Sequence, residues 1–267
     1  MDFQEFGNLS GKTFVLLPGT ACTWQLNFKN VIDELAKKFH IIAVNYDGFE
    51  GDKTKIFTDM LTVTQKIENY ILKNHNGKVD GVYGSSLGGS FVGLLAQRNR
   101  IHIEHGFIGS SDLDQGCKFY ARFLCSIIGF MFSGACKSEK KRNVLKSKFQ
   151  KKRDISKEEL SFGIDFVDNM KNLNPKTITK EFYSDYVTPL EDSIFVEGTI
   201  IHIIYALKMG EKYKERYLKH FKNPDIHEFD MQHEGWLNNE TWRQPVLDCI
   251  YDCMEDKNEK SRNFFNS

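Results

Sequence analysis

A serine between two glycines is the first feature of this chain that could perform chemistry. Gly84, Ser86 and Gly88 form a Gly-x-Ser-x-Gly pattern that follows an apolar run at 79–83 and precedes a predicted helix. A nucleophilic serine at such a strand-to-helix turn needs small neighbours, because the turn is tight and strains the backbone of its central residue. The pattern predicts Ser86 as a nucleophile, with a plain glycine-rich turn as the alternative. No lysine follows the glycines, which argues against a phosphate-binding loop.

A serine becomes a strong nucleophile only when a base removes its proton, and histidine is the expected base. Among the eight histidines, His233 alone follows the last predicted strand, at 226–231, and precedes the last predicted helix. The other seven lie in or beside predicted strands, on a helix or in a polar turn. The sequence therefore predicts His233 as the general base, with an ordinary surface histidine as the alternative.

Acyl transfer also requires backbone N–H groups that stabilise the developing oxyanion. Leu87, the residue after the nucleophile, is expected to supply one of them. The second should come from the loop after the first buried strand, at 12–17, which contains Pro18, Gly19 and Thr20. We predict Thr20 as this donor, although an ordinary Pro-Gly turn would have the same sequence.

Alternating strands and helices must position these residues. Short apolar runs typical of buried strands are separated by segments with helical spacing of apolar residues. The predicted strands lie at 12–17, 40–45, 79–83, 103–108, 199–207 and 226–231. Such alternation with short connections indicates parallel strands in βαβ units, so the predicted class is α/β, with a mostly parallel sheet and flanking helices.

The alternation lapses at 112–192, which has a mostly helical pattern. We therefore predict a core made of 1–111 and 193–267, with a helical insertion at 112–192 between the fourth and fifth predicted strands. Ligands of open α/β sheets bind at the carboxyl ends of the strands, so the insertion is expected to act as a lid over that edge.

Composition limits the classes of function. The chain has 36 Lys and Arg against 36 Asp and Glu, and this zero net charge argues against nucleic-acid binding through global charge. Within the insertion, a stretch at 137–153 has nine basic residues and one acidic residue, beside an apolar stretch at 119–132. Contact with an acidic membrane surface is one interpretation, but we favour a solvated helix face. Because Arg122 interrupts the longest apolar run, no membrane span is expected.

The six cysteines predict neither a disulfide framework nor a metal site, because they are sparse and include no Cys-x-x-Cys pair. Cys249 and Cys253 stand four residues apart in a helical pattern, so they are expected to pack as small apolar side chains rather than to bind a metal. The segment 1–6 lacks the apolar stretch of a secretory signal. We therefore expect reduced cysteines and a cytoplasmic location.

The order of these motifs resembles that of the α/β-hydrolase family, from Phe14 to about Met254. The sequence is most similar to small single-domain hydrolases that begin with a short Phe-x-Glu-Phe-Gly strand, here at 3–7. The resemblance implies cleavage of an ester or amide by a triad of serine, acid and histidine, without a cofactor. It rests on four segments: the loop at 17–20, the turn at 46–51, the elbow at 84–89 and the turn at 233–235.

The acid of the triad departs from the family pattern. In the family, the acid lies three residues after a glycine that ends the strand before the histidine strand, and here that position, counted from Gly210, holds Tyr213. We predict Glu211 instead, because it lies in the loop just beyond that strand. Asp112 and Glu215 are the alternatives. Glu211 could also serve only to stabilise the start of the next helix.

Together these residues predict acyl transfer to Ser86, with His233 first as base and then as acid. The expected substrate is a small or medium-chain carboxylic ester with an apolar group. An acyltransferase or a peptidase would use the same triad. A non-catalytic binding protein is the other alternative, supported by the missing acid at Tyr213. The sequence leaves the oligomeric state open.

Overall fold

The structure is a computed structural model that describes residues 1–49, 51–113, 116–152 and 155–255. Seven strands form one sheet in the spatial order β1-β3-β2-β4-β5-β6-β7. Only β1 is antiparallel to its neighbour, and every other pair is parallel. The strands are β1 (Asp2–Gly7), β2 (Thr13–Leu17), β3 (His40–Asn45), β4 (Lys78–Ser85), β5 (His102–Gly109), β6 (Ile200–Ala206) and β7 (Asp225–Phe229).

Helices cover both faces of the sheet, which explains why its central strands are continuous apolar runs. One apolar cluster packs α3, α4 and α9 against one face, and a second packs α2 and α11 against the other. The helices are α1 (Trp24–Asn27), α2 (Ile32–Lys38), α3 (Met60–Asn74), α4 (Leu87–Arg98), α5 (Lys118–Lys137), α6 (Glu139–Gln150), α7 (Lys157–Asn169), α8 (Pro175–Val187), α9 (Glu211–His220), α10 (Gly235–Asn238) and α11 (Glu240–Met254). The predicted α/β class is confirmed.

Four helices, α5 to α8, lie between β5 and β6, within the segment predicted as the insertion. Local sequence sets their ends. Ser156 and Glu159 form a reciprocal capping box at the start of α7. Asn174 caps α8, whose first residue is Pro175, and Thr188 ends it before Pro189. Whether the insertion acts as a lid stays a prediction.

The insertion is bonded to the core at several points. Ser184 Oγ on α8 accepts a hydrogen bond of 2.7 Å from the N–H of Met60 at the start of α3. Lys29 Nζ, between α1 and α2, lies 2.6 Å from Asp165 Oδ2 on α7. Because these contacts join positions more than 120 residues apart, the insertion and the core pack as parts of one structure.

Helix α5 differs from the sequence expectation about membrane spans. Among the described residues, it is the one helix that is long and apolar enough to cross a membrane by length and composition. The helix continues its apolar pattern on both sides of Arg122, so the charge does not shorten it. One face of α5 packs on α8, where the Phe132 and Phe182 rings are 6.1 Å apart, whereas Phe119 and Phe130 are exposed.

Candidate active site

The turn between β4 and α4 gives Ser86 a strained backbone. Ser86 has φ of +51° and ψ of −113°, a region that serine rarely adopts. A Cβ at Gly84 would overlap the Gly88 carbonyl, and a Cβ at Gly88 would overlap the carbonyl of Leu17. The two glycines of the motif are therefore required by close backbone approach, as a nucleophile elbow demands.

The loop after β2 packs directly against this elbow. A Cβ at Gly19 would lie 3.4 Å from Ser86 Cβ. Three hydrogen bonds fix the loop: Tyr46 Oη donates to Pro18 O (3.0 Å), Gly19 N donates to Asn27 Oδ1 (2.6 Å) and Ala21 N donates to Glu181 Oε2 (2.9 Å). The loop thus stands beside the predicted nucleophile in a defined conformation.

The N–H groups of Thr20 and Leu87 meet no hydrogen-bond acceptor within the described part of the chain. By contrast, the N–H of Ser86 is occupied, because it donates to Gly109 O at 2.8 Å and to Glu234 Oε1 at 2.9 Å. Two unbonded donors in two segments that touch are what an oxyanion hole needs.

His233 lies in the turn between β7 and α10, where its side chain is exposed. The next residue, Glu234, hydrogen-bonds to the backbone of Ser86, so the structure brings this turn to the elbow. Among the described residues, no hydrogen bond joins the His233 imidazole to the Ser86 hydroxyl or to a carboxylate. The turn that carries His233 thus contacts the elbow through Glu234, and the pairing of His233 with Ser86 stays a prediction.

Glu234 is a buried carboxyl beneath the elbow to which sequence reasoning gave no role. Its Oε1 accepts from Ser86 N, and its Oε2 accepts from Tyr83 Oη at 2.8 Å and from Trp236 Nε1 at 3.2 Å. Burial raises the pKa of this carboxyl, although His233 and the three donors oppose the rise. The only signal in the sequence was its place after His233, because its partners Tyr83 and Ser86 are remote in the chain.

The three candidate acids are not joined to His233 by a hydrogen bond or an ion pair in the described residues. Glu211 is the exposed first residue of α9, where its charge also stabilises the helix start. Glu215 is exposed on the same helix. Asp112 follows β5, and its carbonyl accepts a hydrogen bond of 2.8 Å from Arg216 Nη1. The choice of Glu211 stays a prediction.

A second buried carboxyl, Glu181 on α8, reaches the loop after β2. Its Oε2 accepts from Ala21 N, and its Oε1 has no hydrogen-bond partner in the part of the chain that is described. Complete burial raises its pKa well above the ordinary value, and the negative charge of Asp185 adds to the rise. Glu181 therefore favours its neutral form while it holds the loop.

One cavity lies beside α4, and another lies within the insertion. One of about 20 Å³, room for roughly one water molecule, is lined by Ser90, one turn after Ser86, and by Leu113 and Asp185. Another of about 210 Å³ lies among α5, α6 and α7. Its lining is apolar and includes Phe132, Leu145, Phe149, Phe166 and Met170.

Metal-ligating side chains do not gather at the elbow in the described residues. Within the described ranges, the one group that is close enough to hold an ion lies near the amino-terminal ends of β6 and β7 and consists of His202, Asp225, His227 and Cys253.

Comparison with known proteins identifies the fold. No protein-family model matches the sequence, and no curated protein is significantly similar to it. Solved structures match nearly the whole chain. An alpha/beta hydrolase family protein from Desulfitobacterium hafniense has a TM-score of 0.71 at 16% identity, covering 95% of this chain and 100% of that one.

Two further structures give the same result. MenH from S. aureus has a TM-score of 0.68 at 12% identity, with 95% of this chain and 98% of that chain covered. The esterase RhEst1 from Rhodococcus sp. ECU1013 has a TM-score of 0.66 at 12% identity, with 95% and 94% covered. At these identities the matches show the fold and leave the reaction to the residues of this chain.

Proposed function

We propose that this chain, which has the α/β-hydrolase fold, is a serine hydrolase that cleaves carboxylic esters by acyl transfer to Ser86. The observation that carries the proposal is the strained Ser86 at the start of α4, with the unbonded N–H groups of Leu87 and Thr20 beside it. A plain glycine-rich turn would need neither a left-handed serine nor a second loop held against it.

In the proposed reaction, His233 accepts the Ser86 hydroxyl proton as the oxygen attacks the ester carbonyl. The carbonyl oxygen becomes an oxyanion that the Leu87 and Thr20 N–H groups stabilise. The imidazolium then gives its proton to the leaving alcohol, and water releases the acid by the same steps. Glu211 is the proposed partner of His233, and Glu234 positions the elbow from below.

The insertion contains an apolar cavity among α5, α6 and α7, and we propose that this cavity takes the apolar group of the ester. Helix α6 carries most of the basic stretch and buries none of its residues. We assign these charges to a solvated face and assign substrate selection to the apolar lining.

A fluorophosphonate probe tests the proposal directly, because it forms a bond only with an activated serine. The wild-type chain and the Ser85→Ala variant should be labelled once, and Ser86→Ala should not be labelled. Ser85 is the matched control, since it is the adjacent serine, although it is buried whereas Ser86 is half-buried. Labelling of Ser86→Ala at the wild-type rate, in a protein with an unchanged circular dichroism spectrum, would overturn the assignment.

One observation favours a second candidate, a non-catalytic binding protein. Among the described residues no carboxylate is hydrogen-bonded to the His233 imidazole, so no such bond fixes its tautomer there. Such a protein would keep the elbow and the cavity but would not react with the probe.

Screening p-nitrophenyl esters of increasing chain length, together with amides and thioesters, distinguishes an esterase from a peptidase or an acyltransferase.

A further inference from the structure

Three histidines lie side by side across β5, β6 and β7, near the amino-terminal edge of the sheet and away from the elbow. The rings of His105 and His202 are 5.2 Å apart, and those of His202 and His227 are 5.4 Å apart. Asp225 pairs with His202 in the β6–β7 register, and Cys253 approaches from α11. The fold thus gathers ligand types that are spread over 150 residues of sequence.

Four of the six separations among four of these side chains are close to those of a tetrahedral metal site. His202 Nδ1 lies 3.2 Å from His227 Nε2 and 3.5 Å from Asp225 Oδ2. His227 Nε2 lies 3.4 Å from Asp225 Oδ2 and 3.7 Å from Cys253 Sγ. With zinc bonds of about 2.0 Å to nitrogen or oxygen and about 2.3 Å to sulfur, neighbouring ligand atoms of a tetrahedron lie roughly 3.3–3.6 Å apart.

We propose that His202, Asp225, His227 and Cys253 bind one zinc ion, a site separate from the proposed catalytic elbow. His202 would bind through Nδ1, His227 through Nε2, Asp225 through a carboxylate oxygen and Cys253 as a thiolate, whose proton is released to water. All four ligand atoms lie within 4.8 Å of one another, so small side-chain shifts close the shell. Four protein ligands describe a structural site rather than a catalytic one.

His105 completes the arrangement behind the proposed ligands. Its Nδ1 lies 3.0 Å from His202 Nε2, the ring nitrogen that faces away from the cluster. A His202 ring that binds metal through Nδ1 keeps its proton on Nε2 and donates it to His105. Such a donor-acceptor pair behind a ligand is what orients histidine in protein zinc sites.

Access to the site is available from one side. The Asp225 side chain is 56% exposed, whereas those of His202 and His227 are 4% and 21% exposed. An ion can therefore enter past Asp225 and be held by the more buried ligands. From the pattern of α11 alone, Cys253 is expected to pack as an apolar side chain. The other proposed zinc ligands come from β6 and β7, which that pattern does not include.

The test is zinc stoichiometry and affinity in the full chain, read out without an activity assay. The protein is stripped with a chelator, dialysed against zinc chloride, separated from free metal and analysed by mass spectrometry. Wild type and Cys117→Ser, an exposed cysteine outside the cluster, should retain about one zinc per chain. Cys253→Ser and His227→Gln should lose zinc or bind it at least tenfold more weakly.

Cobalt substitution and a variant at an exposed position distinguish a loss of zinc binding from misfolding of the variant. Cobalt-loaded wild type should show a thiolate-to-cobalt charge-transfer band that disappears in Cys253→Ser. Asp225→Asn, at an exposed position, should fold normally and bind zinc more weakly. Failure of folded wild type to bind zinc, or equal zinc affinity in Cys253→Ser, would overturn the proposal and leave a hydrogen-bonded row of histidines. The fluorophosphonate result at Ser86 is independent of either outcome.

Discussion

The backbone N–H of Ser86 is already committed to two acceptors, Gly109 O and Glu234 Oε1. It cannot stabilise an oxyanion, which leaves that role to the N–H groups of Leu87 and Thr20. The same two bonds hold the left-handed φ of Ser86, which is otherwise unfavourable for a residue with a Cβ. At the scale of single residues, the strained backbone of Ser86 is therefore held by the hydrogen bonds of its own N–H group.

Replacing the nucleophile tests this residue first. Ser86→Ala should lower kcat for a p-nitrophenyl ester by about 10⁴ to 10⁶-fold, because the nucleophile of a triad acts as part of a unit with its base. The free energy of unfolding should change little, since the substitution removes only a hydroxyl. Ser85→Ala serves as the control, and wild-type turnover by Ser86→Ala would contradict the mechanism.

Glu234 should matter for both stability and turnover. Glu234→Gln replaces an oxygen that accepts hydrogen bonds with an NH₂ group that faces donors, so we expect a loss of about 1–3 kcal/mol in the free energy of unfolding. Turnover should fall as the elbow loses its support. Urea unfolding and kcat measure the two effects, with the exposed Glu240→Gln as control. Unchanged values for both would show that Glu234 does not position Ser86.

Parallel substitutions decide which carboxyl group is the triad acid. Glu211→Gln should lower kcat by roughly 10² to 10⁴-fold, because the acid fixes the tautomer of His233 and stabilises its imidazolium form. Asp112→Asn and Glu215→Gln should each cost less than about tenfold. A crippling effect of Asp112→Asn instead would place the acid after β5.

At the scale of elements, α8 and the loop after β2 form one unit. Glu181 extends from α8 to the Ala21 N–H, and the same helix bonds the start of α3 through Ser184. Glu181 is buried beside Cys22 and Tyr46, whose pKa values burial also raises, and among the described residues no positive charge offsets its ionised form. The insertion therefore holds the proposed oxyanion loop through a carboxyl group that favours its neutral state.

This arrangement predicts how stability depends on pH. The pKa of Glu181 is raised above 4.5 in the folded chain, so the folded state retains the proton more readily than the unfolded state. The stability that neutral Glu181 contributes to the folded state is fully present below the pKa that this residue has in the unfolded chain. It is lost as pH rises through the higher pKa of the folded chain. Glu181→Gln places an uncharged amide where the neutral acid stands, so the variant should not show this loss of stability at higher pH.

Urea unfolding of wild type and Glu181→Gln over a range of pH from about 4 to about 9 measures the difference. The variant should gain stability relative to wild type as pH rises, whereas Glu197→Gln, an exposed position between α8 and β6, should follow the wild-type curve. A constant difference between wild type and Glu181→Gln would mean that Glu181 titrates alike in the folded and unfolded states.

At the scale of the whole molecule, the sheet could be predicted from sequence because its central strands are buried on both faces. The residues 14–17 and 41–44 are almost completely buried, and each run is continuously apolar. The elbow could be predicted as well, because the close approach of Gly84 and Gly88 to other backbone groups leaves a local signature. Such features depend on residues that are neighbours in the chain.

Features that depend on remote residues could not be predicted. Glu234 reaches Tyr83 only because its own φ is +51° and because β4 lies beside that turn. The cluster of His202, His227 and Cys253 forms only after β6, β7 and α11 have packed together. Sequence spacing carries no signal for the pairs that bring these groups together, since His202 and His227 are 25 residues apart and Tyr83 and Glu234 are 151 apart.

The bond between Ser86 and Glu234 also sets an order of events during biosynthesis. Ser86 is synthesised 148 residues before Glu234, and Trp236 follows Glu234 by 2 residues. A nascent chain that has completed β4 and α4 therefore has the serine without the carboxyl group that supports it. Nucleophilic reactivity would then be absent from truncated or half-made chains, and its onset would report that the last strand and the turn after it have docked.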